Sequence, residues 1–373
     1  MPELSLNTPI SVDQQRTRFS NAYKVLEEAI DEGAFPGAAF GVLSHGQVAV
    51  LDAVGAFTYE EDAPDTAADT VFDIASLTKV VATTSAAMIL HDRGVLDLDM
   101  PLGEVLPGFV IGKIPGSPKQ LVTMRMLLAH SSGLPAYARL FESAKTSSDL
   151  MRAALTLPLE SAPMEQSIYS DIGYILLGKA FEVICGESLD GFCQREVFAP
   201  LGLSSTRFRP AKYLRPMIPP TEIDSAFRGR IIQGEVNDEN CAVLGGCAGH
   251  AGLFSSVPDL LGFAQVILEP KTSGSVFRPE TVSLFNTKRV SPAGTTRALG
   301  WDTPSEPSSS GRYFGPRSIG HLGFTGTSMW IDPDRRLAIV LLTNRTWPDR
   351  SSQAIKQVRP AFHDAIVNTL IGS

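Results

Sequence analysis

The sequence predicts an α/β (α+β) protein in which an antiparallel sheet is flanked by helices and a mostly helical domain is inserted. Strand-like apolar runs lie near both ends of the chain, and helical periodicity dominates the middle. The length of 373 residues leaves room for about two domains. We therefore expect an α/β sheet domain built from 1–80 and 255–373, and an inserted helical domain over 81–254.

The chain begins with a helix signature followed by a hairpin signature. Ser11 and Gln14 have the spacing of a capping box, and the apolar stripe after them predicts one helix over 11–33. Two apolar runs, 38–43 and 48–54, are separated by a short turn-forming segment. That pattern is typical of a β-hairpin.

The middle of the chain predicts helices, and the C-terminal part returns to strands. Helical periodicity covers 76–93, 124–130, 148–155, 172–185 and 189–198. No clear periodicity covers 210–240, which predicts a long loop over one face. Strands are predicted at 297–302, 328–332 and 337–343, and a final helix at about 351–370.

Composition and charge exclude several classes of protein. Asp and Glu total 40 against 32 Lys and Arg, with no basic run, so nucleic acid is not an expected partner. The longest weakly polar run, 80–90, is far too short to span a bilayer, and the N-terminus has no secretory signal pattern. We expect a cytoplasmic protein with no membrane partner.

The cysteines show no metal-ligand spacing and no Cys-x-x-Cys pair. We expect four reduced, buried thiols, no metal and no cofactor. They are Cys185, Cys193, Cys241 and Cys247.

A serine and a lysine one helical turn apart form the first candidate catalytic pair. Ser76 opens a predicted apolar helix, where the helix dipole favours a developing alkoxide, and Lys79 lies on the same face. A neutral amine at that place can accept the hydroxyl proton. A Ser-x-x-Lys match alone is weak, because one is expected by chance in a chain of about this length. Its alternative interpretation is a helix-capping serine beside a solvated lysine.

Two further polar elements follow in order along the chain. Tyr169 and Asp171 flank a serine just before a predicted helix, and His321-Leu322-Gly323 precedes a predicted strand. Glycine at such a place allows a substrate backbone to lie against a sheet edge.

Together these elements resemble the serine β-lactamase and penicillin-binding protein superfamily, in particular its class C β-lactamase-like branch. The Ser-x-x-Lys element lies at 76–79, the Tyr-x-Asn-like element at 169–171 and the Lys-Thr-Gly-like element at 321–323. Segments 127–135 and 246–256 also resemble stretches of the family. The resemblance extends from about residue 19 to the final helix and implies a β-lactamase/transpeptidase-like fold.

The resemblance implies a role for each matching residue. Ser76 would be the acylated nucleophile, Lys79 its proton acceptor, and Tyr169 a second acid or base. The expected substrate-binding residues are Asp171, His321, Gly323 and Phe324. The main-chain N–H groups of Ser76 and Phe324 would form the oxyanion hole.

The sequence departs from the family pattern at three of these positions. Asp171 replaces the usual Asn, His321 the usual Lys and Leu322 the usual Thr. Leu322 offers no hydrogen bond, and we expect His321 to be only partly charged at neutral pH. An anionic Asp171 would repel an anionic substrate or hold Lys79 charged. The departures weaken the case for β-lactam turnover more than that for acyl transfer.

The sequence therefore predicts a cofactor-free serine hydrolase that forms an acyl-enzyme on Ser76 and hydrolyses carboxylic esters or small amides. One alternative is a β-lactamase or a D-alanyl-D-alanine carboxypeptidase. A second, from another class, is a non-catalytic penicillin- or peptide-binding module. In each case the expected partner is a small ester, amide or β-lactam.

Overall fold

The structure, a computed structural model, describes residues 10–110, 116–271 and 275–372. Its helices are α1 (Val12–Arg18), α2 (Ser20–Asp31), α3 (Ser85–Asp92), α4 (Leu102–Val105), α5 (Met124–Leu128), α6 (Ser147–Thr156), α7 (Asp171–Cys185), α8 (Leu189–Cys193), α9 (Ala199–Leu201), α10 (Glu239–Val243), α11 (Val257–Leu268), α12 (Pro279–Asn286) and α13 (Ile355–Ile371). Its strands are β1 (Gly37–Ser44), β2 (Gln47–Gly55), β3 (Phe72–Asp73), β4 (Arg207–Phe208), β5 (Pro220–Asp224), β6 (Arg230–Gln233), β7 (Leu253–Ser255), β8 (Ile319–Leu322), β9 (Ser328–Asp332) and β10 (Leu337–Thr343).

The central sheet combines strands from the two ends of the chain, in the order β2-β1-β10-β9-β8, with antiparallel neighbours. The predicted hairpin and the predicted strands β9 and β10 are confirmed. The strand predicted at 297–302 is wrong, because Arg297 and Asp302 form only isolated bridges. Gly300, with φ 91°, turns the chain between them.

Alternating side chains on the sheet supply two hydrophobic cores. Ala39 and Leu43 face the core shared with the helices from the middle of the chain. Phe40 and Val42 point the other way, into the core formed with α2 and α13. There Phe40 meets Phe362 edge to face at 5.4 Å between ring centroids. The predicted sheet with helices on both faces is therefore confirmed.

The first predicted helix is interrupted. The capping box of Ser11 and Gln14 is confirmed, with both of its hydrogen bonds present. At Phe19 the backbone leaves helical geometry with φ −102° and ψ 26°, and α2 begins at the next residue. The break lets α1 turn towards the sheet, where the Gln15 side chain accepts the Leu51 N–H at 3.0 Å.

The predicted helices of the middle are found, and the one predicted at 76–93 has an irregular start. It begins with a 3₁₀ turn, Ala75–Leu77, and a π-helical segment, Lys79–Thr84, before α3. A second π-helical segment, Gln194–Phe198, follows α8. Because π-helical turns are rare and often lie at functional sites, the first one draws attention to Ser76 and Lys79.

The long loop predicted for 210–240 is wrong. This stretch contains a 3₁₀ turn, Lys212–Met217, the β5–β6 hairpin and the beginning of α10. The alternation of apolar and polar residues that indicates strands is not visible here, because charged side chains occupy positions in the hairpin. Glu222 is buried against Arg350, and Asp224 against Arg228 at 2.7 Å.

The structure also bears on the expectations for the cysteines, for membrane spans and for metal ligands. All four cysteines are free, but only Cys193 and Cys241 are buried, so the expectation of four buried thiols is half right. No helix among the described residues is long and apolar enough to cross a bilayer. The same residues hold no cluster of metal-ligating side chains. The two-domain division stays a prediction.

Candidate active site

Ser76 follows a strained residue in a tightly held turn. Ala75 has φ 46°, a left-handed conformation that costs a side-chain-bearing residue about 1–2 kcal/mol. The Asp73 carboxylate accepts the Ala75 N–H at 2.9 Å, and the Thr78 hydroxyl donates to the Ala75 carbonyl at 2.6 Å. A strained backbone that several such contacts hold in place is typical of functional sites.

Lys79 is completely buried directly beside the serine. Its Nζ donates to Ser76 Oγ at 2.8 Å and to the main-chain oxygen of His250 at 3.0 Å. Asp171 Oδ1 lies 2.7 Å away as an ion partner. Burial alone would lower the pKa of Lys79, but the charge of Asp171, together with hydrogen bonds to Asp171 and Tyr169, outweighs burial and raises it. The alternative of a solvated lysine beside a capping serine does not describe this pair.

Tyr169 completes a hydrogen-bonded group of three. Its hydroxyl contacts both Ser76 and Lys79, and burial raises its pKa. The next residue, Ser170, caps α7 by accepting the Gly173 N–H at 3.0 Å. The Ser170 N–H donates to His130 Nδ1 at 2.9 Å, so the capping motif and its neighbours hold the tyrosine in place.

The turn between β8 and β9 is tied to the serine turn. The Thr327 hydroxyl donates to the Ile74 carbonyl at 3.1 Å, and the Thr325 hydroxyl donates to the Asp73 carbonyl at 2.7 Å. Gly323 N–H closes the turn on the Thr327 carbonyl at 2.7 Å. These bonds fix Gly323 relative to the serine turn.

His321 is neutral. Burial lowers its pKa well below 6.5, and the charge of Lys79 lowers it further. Its Nδ1 lies 2.8 Å from the Leu322 carbonyl, which can only accept, so this nitrogen carries the proton. The expectation of a partly charged His321 is wrong, because full burial removes the water that would solvate an imidazolium.

The predicted residues meet at one cavity. Its volume is about 730 Å³. Ser76, Tyr169, Asp171, His321, Gly323 and Phe324 line it, and Lys79 lies beneath. Among the described residues, the main-chain N–H groups of Ser76 and Phe324 donate no hydrogen bond. Two unused donors at one cavity are the geometry that can stabilise an oxyanion.

Sequence reasoning missed two buried arginines at this cavity, Arg345 and Arg359. Arg345 Nε donates to the Phe324 carbonyl at 2.7 Å. Arg359 donates to the carbonyls of Gly323 at 2.6 Å and Thr327 at 2.8 Å. No carboxylate of the described chain lies within ion-pair distance of either guanidinium. No local pattern signals them, since each reaches the site through tertiary packing.

A further contact at this site that no sequence motif assigned is made by His250. Its main-chain oxygen accepts from Lys79, and its Nε2 lies 2.8 Å from Asp238 Oδ1. The resemblance of residues 246–256 to a stretch of the family indicated this segment but assigned no contact to it.

We expect Gly323→Ala to lower kcat for an activated ester by about 10²-fold, because it moves an oxyanion donor. A Cβ there would lie 1.9 Å from Thr327 Oγ1 and 2.5 Å from the Ile74 carbonyl, so the turn must shift. Gly262→Ala is the control, since its Cβ meets nothing nearer than 3.7 Å. Steady-state kinetics and thermal melts on both variants test this. Unchanged kcat in a folded Gly323→Ala protein would contradict it.

Comparison with known proteins agrees with this geometry. The family model named Beta-lactamase matches residues 23–360. The chain therefore belongs to the β-lactamase family, and it is a hydrolase of that family with the corresponding fold.

Individual relatives carry different activities in their names. A "Putative D-alanyl-D-alanine carboxypeptidase" of Escherichia coli (strain K12) is 30% identical over 92% of this chain and 86% of its own length. The solved structure of EstCE1, "a hydrolase with promiscuous acyltransferase activity", has a TM-score of 0.76 at 22% identity, covering 95% of this chain and 99% of its own. A class C β-lactamase from Rhodobacter sphaeroides has a TM-score of 0.72 at 21% identity, covering 94% and 99%.

Proposed function

We propose that this chain is a serine hydrolase that forms an acyl-enzyme on Ser76 and cleaves carboxylic esters or small amides. The observation that carries the proposal is the 2.8 Å contact between Ser76 Oγ and the buried Lys79 Nζ. A serine hydroxyl needs a neighbouring base to attack a carbonyl, and a buried lysine one turn away is placed to serve.

The other residues of the cavity have complementary roles in the proposed reaction. As Ser76 Oγ attacks, the substrate carbonyl oxygen becomes negative and takes hydrogen bonds from the free N–H groups of Ser76 and Phe324. Tyr169, which contacts both Ser76 and Lys79, donates a proton to the leaving group. Water then attacks the ester on Ser76, with the same groups working in reverse.

The side chains at the first two positions of the Lys-Thr-Gly-like element are uncharged, which favours uncharged substrates. Lys and Thr at positions 321 and 322 would meet a substrate carboxylate, whereas here His321 is neutral and the side chain of Leu322 has no polar atom. The absence of one charge-assisted hydrogen bond is worth about 1.5–3 kcal/mol, or one to two orders of magnitude in rate.

We expect short uncharged esters to be hydrolysed with about 10- to 100-fold higher kcat/KM than a chromogenic cephalosporin, after correction for intrinsic reactivity. Parallel assays with p-nitrophenyl butyrate and the cephalosporin measure the ratio. Leu322→Thr should shift it towards the cephalosporin. If the cephalosporin is the better substrate, β-lactamase activity replaces the esterase proposal. Adduct formation without turnover of either substrate would favour a non-catalytic binding module.

The two arginines favour D-alanyl-D-alanine carboxypeptidase activity as a second candidate. Arg345 and Arg359 line the cavity beside Phe324. Burial, with the neighbouring Arg345, lowers the pKa of Arg359 to about 9, as expected for a cation without a counter-ion. A substrate carboxylate would supply the missing charge. Release of D-alanine from a peptide ending in D-alanyl-D-alanine, and its loss in Arg345→Met, would establish this activity.

A further inference from the structure

Asp171 contacts the proposed base rather than only facing the substrate. It is the first residue of α7, and its Oδ1 lies 2.7 Å from Lys79 Nζ. The Lys79 side chain is 0% exposed and that of Asp171 19%, so water reaches the pair only through the cavity that Asp171 lines. The carboxylate therefore lies both at the N-terminal end of α7 and beside the lysine.

A protonated Lys79 cannot by itself accept the serine proton. An ammonium group has three N–H donors and no lone pair. Its close oxygen neighbours among the described residues are Ser76 Oγ, the His250 carbonyl, Asp171 Oδ1 and the Tyr169 hydroxyl. The serine is the source of the proton and a carbonyl is a very weak base. The Tyr169 hydroxyl stays protonated, so of the four the carboxylate is the base available to accept a proton during the reaction.

We propose that Asp171 is the terminal proton acceptor of a Ser76–Lys79–Asp171 relay, an inference that rests on the proposed function. As Ser76 Oγ bonds to the carbonyl carbon, its proton moves to Lys79 Nζ and one Nζ proton moves to Asp171 Oδ1. The carbonyl π pair moves to the oxygen. The negative charge thus passes from the carboxylate to the oxyanion, while Lys79 stays positive. On collapse, the proton returns through Lys79 and Tyr169 to the leaving group.

Among the residues that the structure describes, Asp171 is the carboxylate within ion-pair distance of Lys79. Tyr169 also contacts Lys79, and burial raises the pKa of Tyr169, which keeps it protonated. Asp238 acts on Lys79 from further away and is paired with His250. The other titratable groups coupled to either member of the pair are Tyr137, His130, His321 and Cys241.

These four groups do not titrate between pH 7 and 9. Burial lowers the pKa of His130 and His321 well below 6.5. It raises the pKa of Tyr137 and that of Cys241 above their ordinary values. A pH dependence that appears in that range when Asp171 is replaced is therefore expected to report on Lys79, whose pKa falls without the anion.

The Asp171→Asn variant distinguishes a carboxylate that accepts the proton from one that only keeps Lys79 charged. Without the anion, the pKa of Lys79 falls, because burial lowers it and Asp171 no longer raises it. If the relay operates, kcat/KM at pH 6–7 should fall by about 10²-fold. The deficit should then shrink by about tenfold or more as pH rises and Lys79 loses its proton unaided. Asp171→Glu should keep the shape of the native profile.

The measurement is the pH profile of kcat/KM for an uncharged activated ester, with Asp13→Asn as the matched control. Asp13 lies in the first turn of α1, so this variant also removes a carboxylate at a helix N-terminus. A loss of kcat/KM in Asp171→Asn that is the same at every pH would mean that Asp171 has only a structural role. Higher activity of Asp171→Asn at pH 7 would show that the carboxylate only keeps Lys79 charged. Either result overturns the relay.

Failure of the proposed function is recognised separately. Native protein is first labelled with a fluorophosphonate and the adduct is mapped by mass spectrometry. If Ser76 is not labelled, the nucleophile assignment fails before Asp171 is tested. If Ser76 is labelled and the two pH profiles are parallel, the relay alone is wrong.

Discussion

Ser76→Ala is expected to lower ester hydrolysis by at least about 10³-fold and to remove the covalent fluorophosphonate adduct. Ser76 Oγ is the hydroxyl that Lys79 Nζ contacts at 2.8 Å, and Ser76 lines the cavity with Phe324. Residual hydrolysis would come only from binding and the oxyanion donors.

The control for this variant is Ser188→Ala. Ser188 also precedes a helix, but residue 191 is glycine, so no amine lies one turn away. Activity and labelling should match the native protein. Retention of more than a few per cent of activity in Ser76→Ala, or an adduct on a different serine, would contradict the assignment.

Lys79→Ala and Tyr169→Phe are each expected to lower kcat by about 10²-fold or more, with the double variant little worse than the worse single one. The reason is that both side chains contact the same hydroxyl and each other. Groups that serve one proton path give losses that do not multiply. Multiplication of the two losses would mean that they act independently.

The stability of Lys79→Ala and of Tyr169→Phe must be measured alongside their activity, because the two substitutions remove different interactions from the fold. Lys79→Ala breaks a buried ion pair with Asp171 and should destabilise the fold by about 3–5 kcal/mol. Tyr169→Phe removes a single hydroxyl and should leave the fold nearly as stable. Lys179→Ala is the surface control, since Lys179 pairs with Glu182 at 3.1 Å on the exposed face of α7. Its kcat should be unchanged.

The parts of this fold that could be predicted depend on neighbours in sequence. The β9 and β10 bounds follow from apolar runs on either side of a turn, and Ser76 meets Lys79 because three residues make nearly one helical turn. The capping box of Ser11 is equally local. In each case a pattern of fewer than ten residues contains the interaction.

The parts that could not be predicted depend on contacts between distant residues. Lys79 and His250 are 171 positions apart, and their contact uses a main-chain oxygen, which has no sequence signature. For Asp171 the sequence left two possibilities open, a charge facing the substrate or a partner of Lys79, because the motif gives its place in the chain but not the direction of its carboxylate. Glu222 escaped notice since its partner Arg350 lies 128 positions away.

The bonds from Thr325 and Thr327 to the serine turn have a consequence for biosynthesis. They join residues 252 and 253 positions apart, so a growing chain has Ser76 long before it has the second oxyanion donor. We therefore expect the nascent polypeptide to have no hydrolase activity until β8 and β9 leave the ribosome, because the proposed nucleophile lacks one of its two proposed oxyanion donors until then. Protein cleaved between α12 and β8 should likewise be inert as separate fragments, with hydrolysis returning only when the two pieces reassociate.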